Sequence, residues 1–155
     1  MLEIKQIKEI DGELNQKIED FFKKSKPSEF CQLKMPSLRT TKIREYLQHI
    51  YKCSHIYVGY ENKKFVGMCF FKSENDHIYL EFLFGDFSLG SVKLINSFHS
   101  VLEEISKECN IYQIKAEIRR KHKVNAFLKW IKRYDKKCKI IKGDLTTIIW
   151  QVNEW

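Results

Sequence analysis

Apolar residues recur along this chain in two rhythms, and the switches between them mark eleven elements. Leu2, Ile4 and Ile7, with polar residues between them, suggest a first strand. Asp11 offers the short carboxylate of a helix N-cap, and Leu14, Ile18, Phe21 and Phe22 fall at helical spacing behind it. A second helix is predicted over 41–52, where Ile43, Tyr46, Leu47, Ile50 and Tyr51 form one stripe after Thr40 or Thr41. Three strands follow, over 55–60, 65–71 and 78–84, joined by the polar stretches 61–64 and 73–76, which read as hairpin turns. The second and third are apolar on both faces, as central strands covered on two sides are. Val92, Ile95, Phe98, Val101, Leu102 and Ile105 predict a helix over 91–108, with Asn110 as its stop. A strand over 112–118 comes next, then a basic helix over roughly 122–134 with Val124, Phe127, Leu128, Ile131 and Tyr134 on its apolar side. Strands over 138–141 and 146–152 close the chain as a hairpin around Gly143 and Asp144.

The order is βααβββαβαββ. It predicts an α/β (α+β) fold: a mixed, mostly antiparallel central sheet of about seven strands with helices on both faces. No repeat or low-complexity linker divides the chain, and both prolines fall in one loop-like stretch, 25–38. Residues 1–155 therefore read as a single domain, within the usual size of roughly 100–200 residues.

Composition narrows the class. Hydrophobic residues at 43%, aromatics at 14%, exclude a disordered chain. No apolar run approaches the roughly 18 residues that span a bilayer, and the first residues lack the apolar core of a signal peptide. The five cysteines (31, 53, 69, 109 and 138) are scattered, with no CxxC and no zinc-ligand spacing. They read as reduced thiols of a cytoplasmic protein, with no metal site expected. His49, His55, His77 and His99 stand alone in strand or helix contexts and read as structural or surface residues.

Charge is concentrated. Residues 115–142 hold twelve Lys/Arg against Glu117 and Asp135, a net +10 that leaves −2 for the rest of a chain whose total is +8. Such a local field suits an anionic partner: a phosphorylated cofactor, nucleic acid or an acidic protein surface. Within the third hairpin strand one acid interrupts the apolar run. Strand alternation puts Glu81 on a face with Tyr79 and Leu83. If buried, that carboxylate has a raised pKa, which suits a general base that takes a proton from an ammonium group; the other reading is a partly exposed Glu paired with a neighbouring Lys, or one at a strand end that faces a cleft with no chemistry.

The element order resembles that of the GNAT N-acetyltransferases over nearly the whole chain. In that family the fourth strand and the helix after it splay from the fifth strand, and acetyl-CoA enters the gap. Its pyrophosphate sits on backbone N–H groups of the strand–helix loop, a place where unpaired amides and the helix dipole attract an anion. The loop here is Phe84-Gly85-Asp86-Phe87-Ser88-Leu89-Gly90-Ser91-Val92-Lys93. Against the family pattern Q/R-x-x-G-x-G/A, one register sets Phe87, Gly90 and Val92 on the motif, and the other sets Ser88, Ser91 and Lys93. A second motif, roughly N-x-x-A-x-x-L-Y, matches the next helix in rhythm, with Lys121 at the Asn, Val124 at the Ala and Leu128 at the Tyr. That Tyr often protonates the departing thiolate, a role Leu128 cannot take.

The resemblance implies an acyl-CoA-dependent N-acyltransferase moving an acetyl group to a primary amine. Glu81 would be the base, Leu83, Phe84, Gly90, Ser91, Val92, Lys121 and His122 would hold acetyl-CoA, and the acceptor pocket would lie by 25–38 and 144–150. The alternative is a non-catalytic protein on the same scaffold. It would bind nucleic acid or an acidic partner through Lys129, Lys132, Arg133, Lys136 and Lys137 with Trp130 and Tyr134, for example as a component of a phage virion. Trp150 and Trp155 would face either a partner or the core.

Overall fold

The computed structural model describes residues 2–24, 55–85, 92–118 and 121–152. The predicted helix over 41–52, the 25–38 loop and Trp155 lie outside them. The described elements are β1 (Leu2–Ile7), α1 (Gly12–Lys24), β2 (His55–Glu61), β3 (Lys64–Ser73), β4 (Ile78–Gly85), α2 (Val92–Cys109), β5 (Gln113–Ile118), α3 (Lys121–Ile131), β6 (Lys139–Ile141) and β7 (Thr146–Gln151).

Local chemistry sets most of the ends. Asp11 caps α1: its Oδ1 accepts the Leu14 N–H at 2.8 Å, the third residue of the helix. Asn62 and Lys63 both have positive φ, 50° and 67°, the two-residue turn whose twist matches a hairpin, so the predicted four-residue turn shrinks to two and Glu61 pairs with Lys64. At the end of α2, Asn110 takes the left-handed conformation (φ 54°). Its N–H bonds the Lys107 carbonyl and the Ile111 N–H bonds that of Ser106, so two orphaned helix carbonyls are satisfied. The basic helix stops at Ile131, three residues short of expectation. Arg133 and Tyr134 donate to carbonyls only three residues back, which tightens the last turn.

One seven-stranded sheet runs β1-β2-β3-β4-β5-β7-β6. Every neighbouring pair is antiparallel except β4 with β5. The two strands expected to be central, β3 and β4, stand third and fourth of the seven. Two apolar layers cover it. On one face α1 sets Leu14 and Ile18 against Ile56, Val58, Met68 and Phe70. On the other, Leu94, Phe98, Leu102 and Ile105 of α2 and Phe127, Trp130 and Ile131 of α3 close over Cys69, Phe71, Leu80, Ile114, Ile148 and Trp150. The buried stripe of α2 keeps the predicted centre at Phe98, Leu102 and Ile105 and adds Leu94, whereas Ile95 and Val101 lie at its two margins. Trp150 is a core residue, 1% exposed. The two helices of this layer are tied where Tyr134 stacks flat on His99, ring centroids 3.5 Å apart, and donates its hydroxyl to Asn96 Oδ1.

Candidate active site

The sheet opens between its fourth and fifth strands. β4 and β5 run parallel and pair only at Ile78–Ile114, Tyr79–Lys115 and Leu80–Ala116. Past that point each strand keeps its other neighbour. Phe82 to Gly85 stay on β3, and Glu117 and Ile118 stay on β7. The ladder between β4 and β5 simply ends, so the facing edges present backbone N–H and C=O groups that have no strand partner among the described residues. Buried backbone groups of this kind need a partner.

A bulge marks the parting. Phe71 pairs with Leu80 and Phe70 with Phe82, so Glu81 is an extra residue opposite the step between two phenylalanines. Alternation is broken there. Leu80 and Leu83, three apart, both enter the core beneath α2 and α3. This corrects the expected face of Glu81: it keeps Tyr79 as a neighbour but not Leu83. Of the two environments expected for Glu81, the structure has the partly exposed one. A bulge re-aims a side chain, and here it turns a carboxylate out of an apolar strand toward the opening.

Because Ile78, Leu80, Ile114, Ala116 and Ile118 belong to the core under α2 and α3, their alternates point to the face that carries α1. There they line an open groove of about 300 Å³ with Lys72, Glu74, His77, Tyr79, Glu81, Lys115 and Glu117 on its walls. Tyr79 is almost buried, 8% exposed, and its hydroxyl donates to Glu117 Oε1 at 3.0 Å across the last paired rung. That bond orients Glu117 beside the bulge. His77 Nδ1 lies 2.7 Å from Asp76 Oδ1, and this bond holds the Asp76 carboxyl below its usual pKa, with Lys115 adding its field. Tyr79, Lys115 and Glu117 are groove residues that the sequence reading did not single out. Their signal was present in the strict alternation of Gln113, Lys115 and Glu117 with Ile114, Ala116 and Ile118.

The fold is that of the GNAT N-acetyltransferases. The parted parallel pair within an otherwise antiparallel sheet is its defining irregularity, and solved GNAT structures superpose on nearly the whole chain. An acetyltransferase from Streptococcus agalactiae matches with a TM-score of 0.70 and 14% identity, 97% of this chain and 98% of that one being covered. PaiA N-acetyltransferase from Thermoplasma acidophilum, in complex with coenzyme A, matches at 0.66 and 13%, over 97% and 99%. The Campylobacter jejuni N-acetyltransferase PseH, in complex with acetyl coenzyme A, matches at 0.61 and 12%, again over 97% and 99%. No protein-family model and no curated protein matches the sequence.

The remaining GNAT positions distribute unevenly around the wedge. Val92 opens α2, an 18-residue helix and the next described element after β4. Gly90 and Ser91 lie outside the described residues. Leu83 is 2% exposed, so its side chain is core and only its backbone faces the parted edge. Phe84 is the penultimate residue of β4. Lys121 and His122 begin α3. Leu128, at the position of the family's tyrosine, lines a separate cavity of about 530 Å³ between α3 and the β6–β7 hairpin, together with Val124, Asn125, Ile140 and Thr146. The cations Lys129, Lys132, Arg133, Lys136, Lys137, Lys139 and Lys142 are all exposed. Among the described residues no His/Cys/Asp/Glu group is arranged to hold a metal ion, and no helix is long and apolar enough to cross a membrane.

Proposed function

We propose that this chain transfers an acetyl group from acetyl-CoA to a primary amine. The observation that carries the reading is the end of the β4–β5 ladder after Leu80 and Ala116, with a carboxylate turned out at the breach. The residues at hand suit a thioester of coenzyme A. Its amide-bearing arm can complete the unpaired edges of β4 and β5 near Leu83 and Phe84. Its phosphates suit the positive end of α2, which Val92 opens and which Gly90 and Ser91 precede in sequence, and Lys121 and His122, the first residues of α3, are the further candidates to hold them. Bound GNAT neighbours carry coenzyme A or acetyl coenzyme A, which supports the assignment.

When bound, acetyl-CoA supplies an activated carbonyl and a good thiolate leaving group. The protein's part is to hold the amine near that carbonyl and to remove its proton. Orientation alone lowers a barrier by several kcal/mol. Glu81, at the bulge, takes the proton from the incoming ammonium, and Glu117, held by Tyr79, steadies the same charge. Leu128 has no proton to give to the leaving group, so water or another group would have to supply it. The free thiols Cys69, Cys109 and Cys138 suit a protein of the reducing cytoplasm.

The test has two readouts. Acetyl-CoA at 100 times its Kd adds about 2.7 kcal/mol of stability, and so raises the melting temperature. Release of free coenzyme A thiol in the presence of an amine mixture reports transfer, and Glu81→Gln lowers it by about 100-fold while the thermal shift stays. Absence of any thermal shift at millimolar acetyl-CoA would overturn the proposal.

A further inference from the structure

The charges in the groove select among amines. Two lysines and three glutamates line it with His77 and Tyr79. Lys72 is neutralised within the groove, its Nζ 3.7 Å from Glu74 Oε1. Glu81 and Glu117 stand at the parted end, where the amine must arrive. Lys115 is left. It forms no ion pair with a described residue. Asp76, the acid whose carboxyl feels its field, is engaged by His77 and is 84% exposed at the side chain. Lys115 and Glu117 are two residues apart on one face of β5, about 6–7 Å along the strand at the usual rise. The groove therefore presents an anionic end at the breach and a cationic end one step back along the same strand.

We infer that the acceptor is a small zwitterion: a primary amine that also carries a carboxylate or phosphate, which Lys115 holds while the ammonium lies between Glu81 and Glu117. This rests on the acetyl-transfer reading above. A spacer of two to four bonds between the two charged groups matches the step from Lys115 to Glu117. A bare alkylamine leaves the Lys115 ammonium without a counter-charge in a partly desolvated groove. A diamine places a second cation against it, and like charges in such a site repel. A lysine makes a point charge on a flexible stem, so it accepts either anion, and the two sources are told apart by comparing them directly.

Four acceptors of similar length decide the matter: 3-aminopropanoate, O-phosphoethanolamine, propylamine and 1,3-diaminopropane, each assayed by thiol release from acetyl-CoA. The expected order places one or both anionic amines about tenfold above propylamine in kcat/KM, with the diamine lowest. The better of the two names the anion. Lys115→Gln removes that preference by raising KM for the anionic amine to about that for propylamine. Lys115→Glu turns the preference toward 1,3-diaminopropane. Equal use of propylamine by the wild-type protein, or a preference that survives Lys115→Gln, overturns the inference. If acetyl-CoA stabilises both proteins while the preference is absent, this inference alone fails. If acetyl-CoA stabilises neither, the acetyl-transfer reading fails and takes it along. Should acetyl-CoA bind but no acceptor turn over, the melting temperature of the coenzyme A complex is read instead, and an anionic amine that raises it no more than propylamine overturns the inference as well.

Discussion

Replacing Tyr79 by Phe removes a single oxygen from the side chain that reaches from β4 across the end of the ladder to β5. The ring remains, with its edge-on contact to His77 at 6.5 Å, so packing is conserved. The bond lost is a hydroxyl donated at 3.0 Å to a carboxylate oxygen, from a side chain 8% exposed. Hydrogen bonds to charged groups contribute about 1.5–3 kcal/mol when both partners are shielded. Glu117 opens onto the groove, where water can replace the hydroxyl, so the value falls below that range to that of an ordinary hydrogen bond, about 1 kcal/mol. The assay is urea unfolding at pH 7 of the wild type, Tyr79→Phe, Glu117→Met (which keeps the length of the side chain but has no oxygen to accept the hydroxyl) and the double variant. The cycle isolates the pairwise energy, since each single change breaks the same bond. The expected result is a coupling of about 1 kcal/mol, equivalent to roughly 2–4 °C in melting temperature for a chain of this size, with unchanged denaturant slopes. Additivity within about 0.3 kcal/mol would show that Tyr79 and Glu117 do not meet, and would remove the reason for placing Glu117 beside the breach.

Three further outcomes follow from other parts of the fold. Burial holds the His99 pKa below its usual value, against the opposing bond to Glu103, so the folded protein resists taking a proton that the unfolded chain accepts. Stability is therefore unaffected above about pH 6.5 and falls as pH drops below it toward the folded pKa, by at most about 1.4 kcal/mol per pH unit; urea unfolding between pH 7 and 5 should show this slope weakened in His99→Phe. A methyl group on Gly59 would stand 2.8 Å from Leu94 Cδ1 and 3.3 Å from Ile4 Cδ1, and Leu94 is 1% exposed, so Gly59→Ala should cost about 1–3 kcal/mol in the same assay. Asn110→Ala should lose about 1 kcal/mol by putting a plain Cβ in a left-handed helix cap, whereas Asn110→Gly should lose none; thermal melts of the pair check the sign.

Much of the fold was legible because its signals are local. The Asp11 cap, the apolar repeat of α1, the short polar turns and the two-faced apolar runs of β3 and β4 are each written in a few neighbouring residues, and each was found where expected. The misreadings have local causes too. The predicted α2 stripe left out Leu94, which on the helical wheel falls between Val101 and Phe98, and only contact with the sheet decides that it goes deeper than Val101. The basic helix was run to Tyr134 by periodicity, yet Tyr134 faces His99 from a tightened turn rather than from a continuing helix.

The site divides along the same line. Residue types and order on their own determined that a carboxylate sits inside an apolar strand, that β5 alternates charged and apolar residues, and that an uneven charge gathers in the last third of the chain. Tertiary structure alone decided that Glu81 forms a bulge, that it parts from Leu83, that Tyr79 reaches Glu117, and that two strands pair for three residues and then separate. Those facts are relations between strands distant in sequence. A bulge exists only against a partner's register, and a gap only where both strands bond better to their outer neighbours than to each other. No window along one strand contains that comparison.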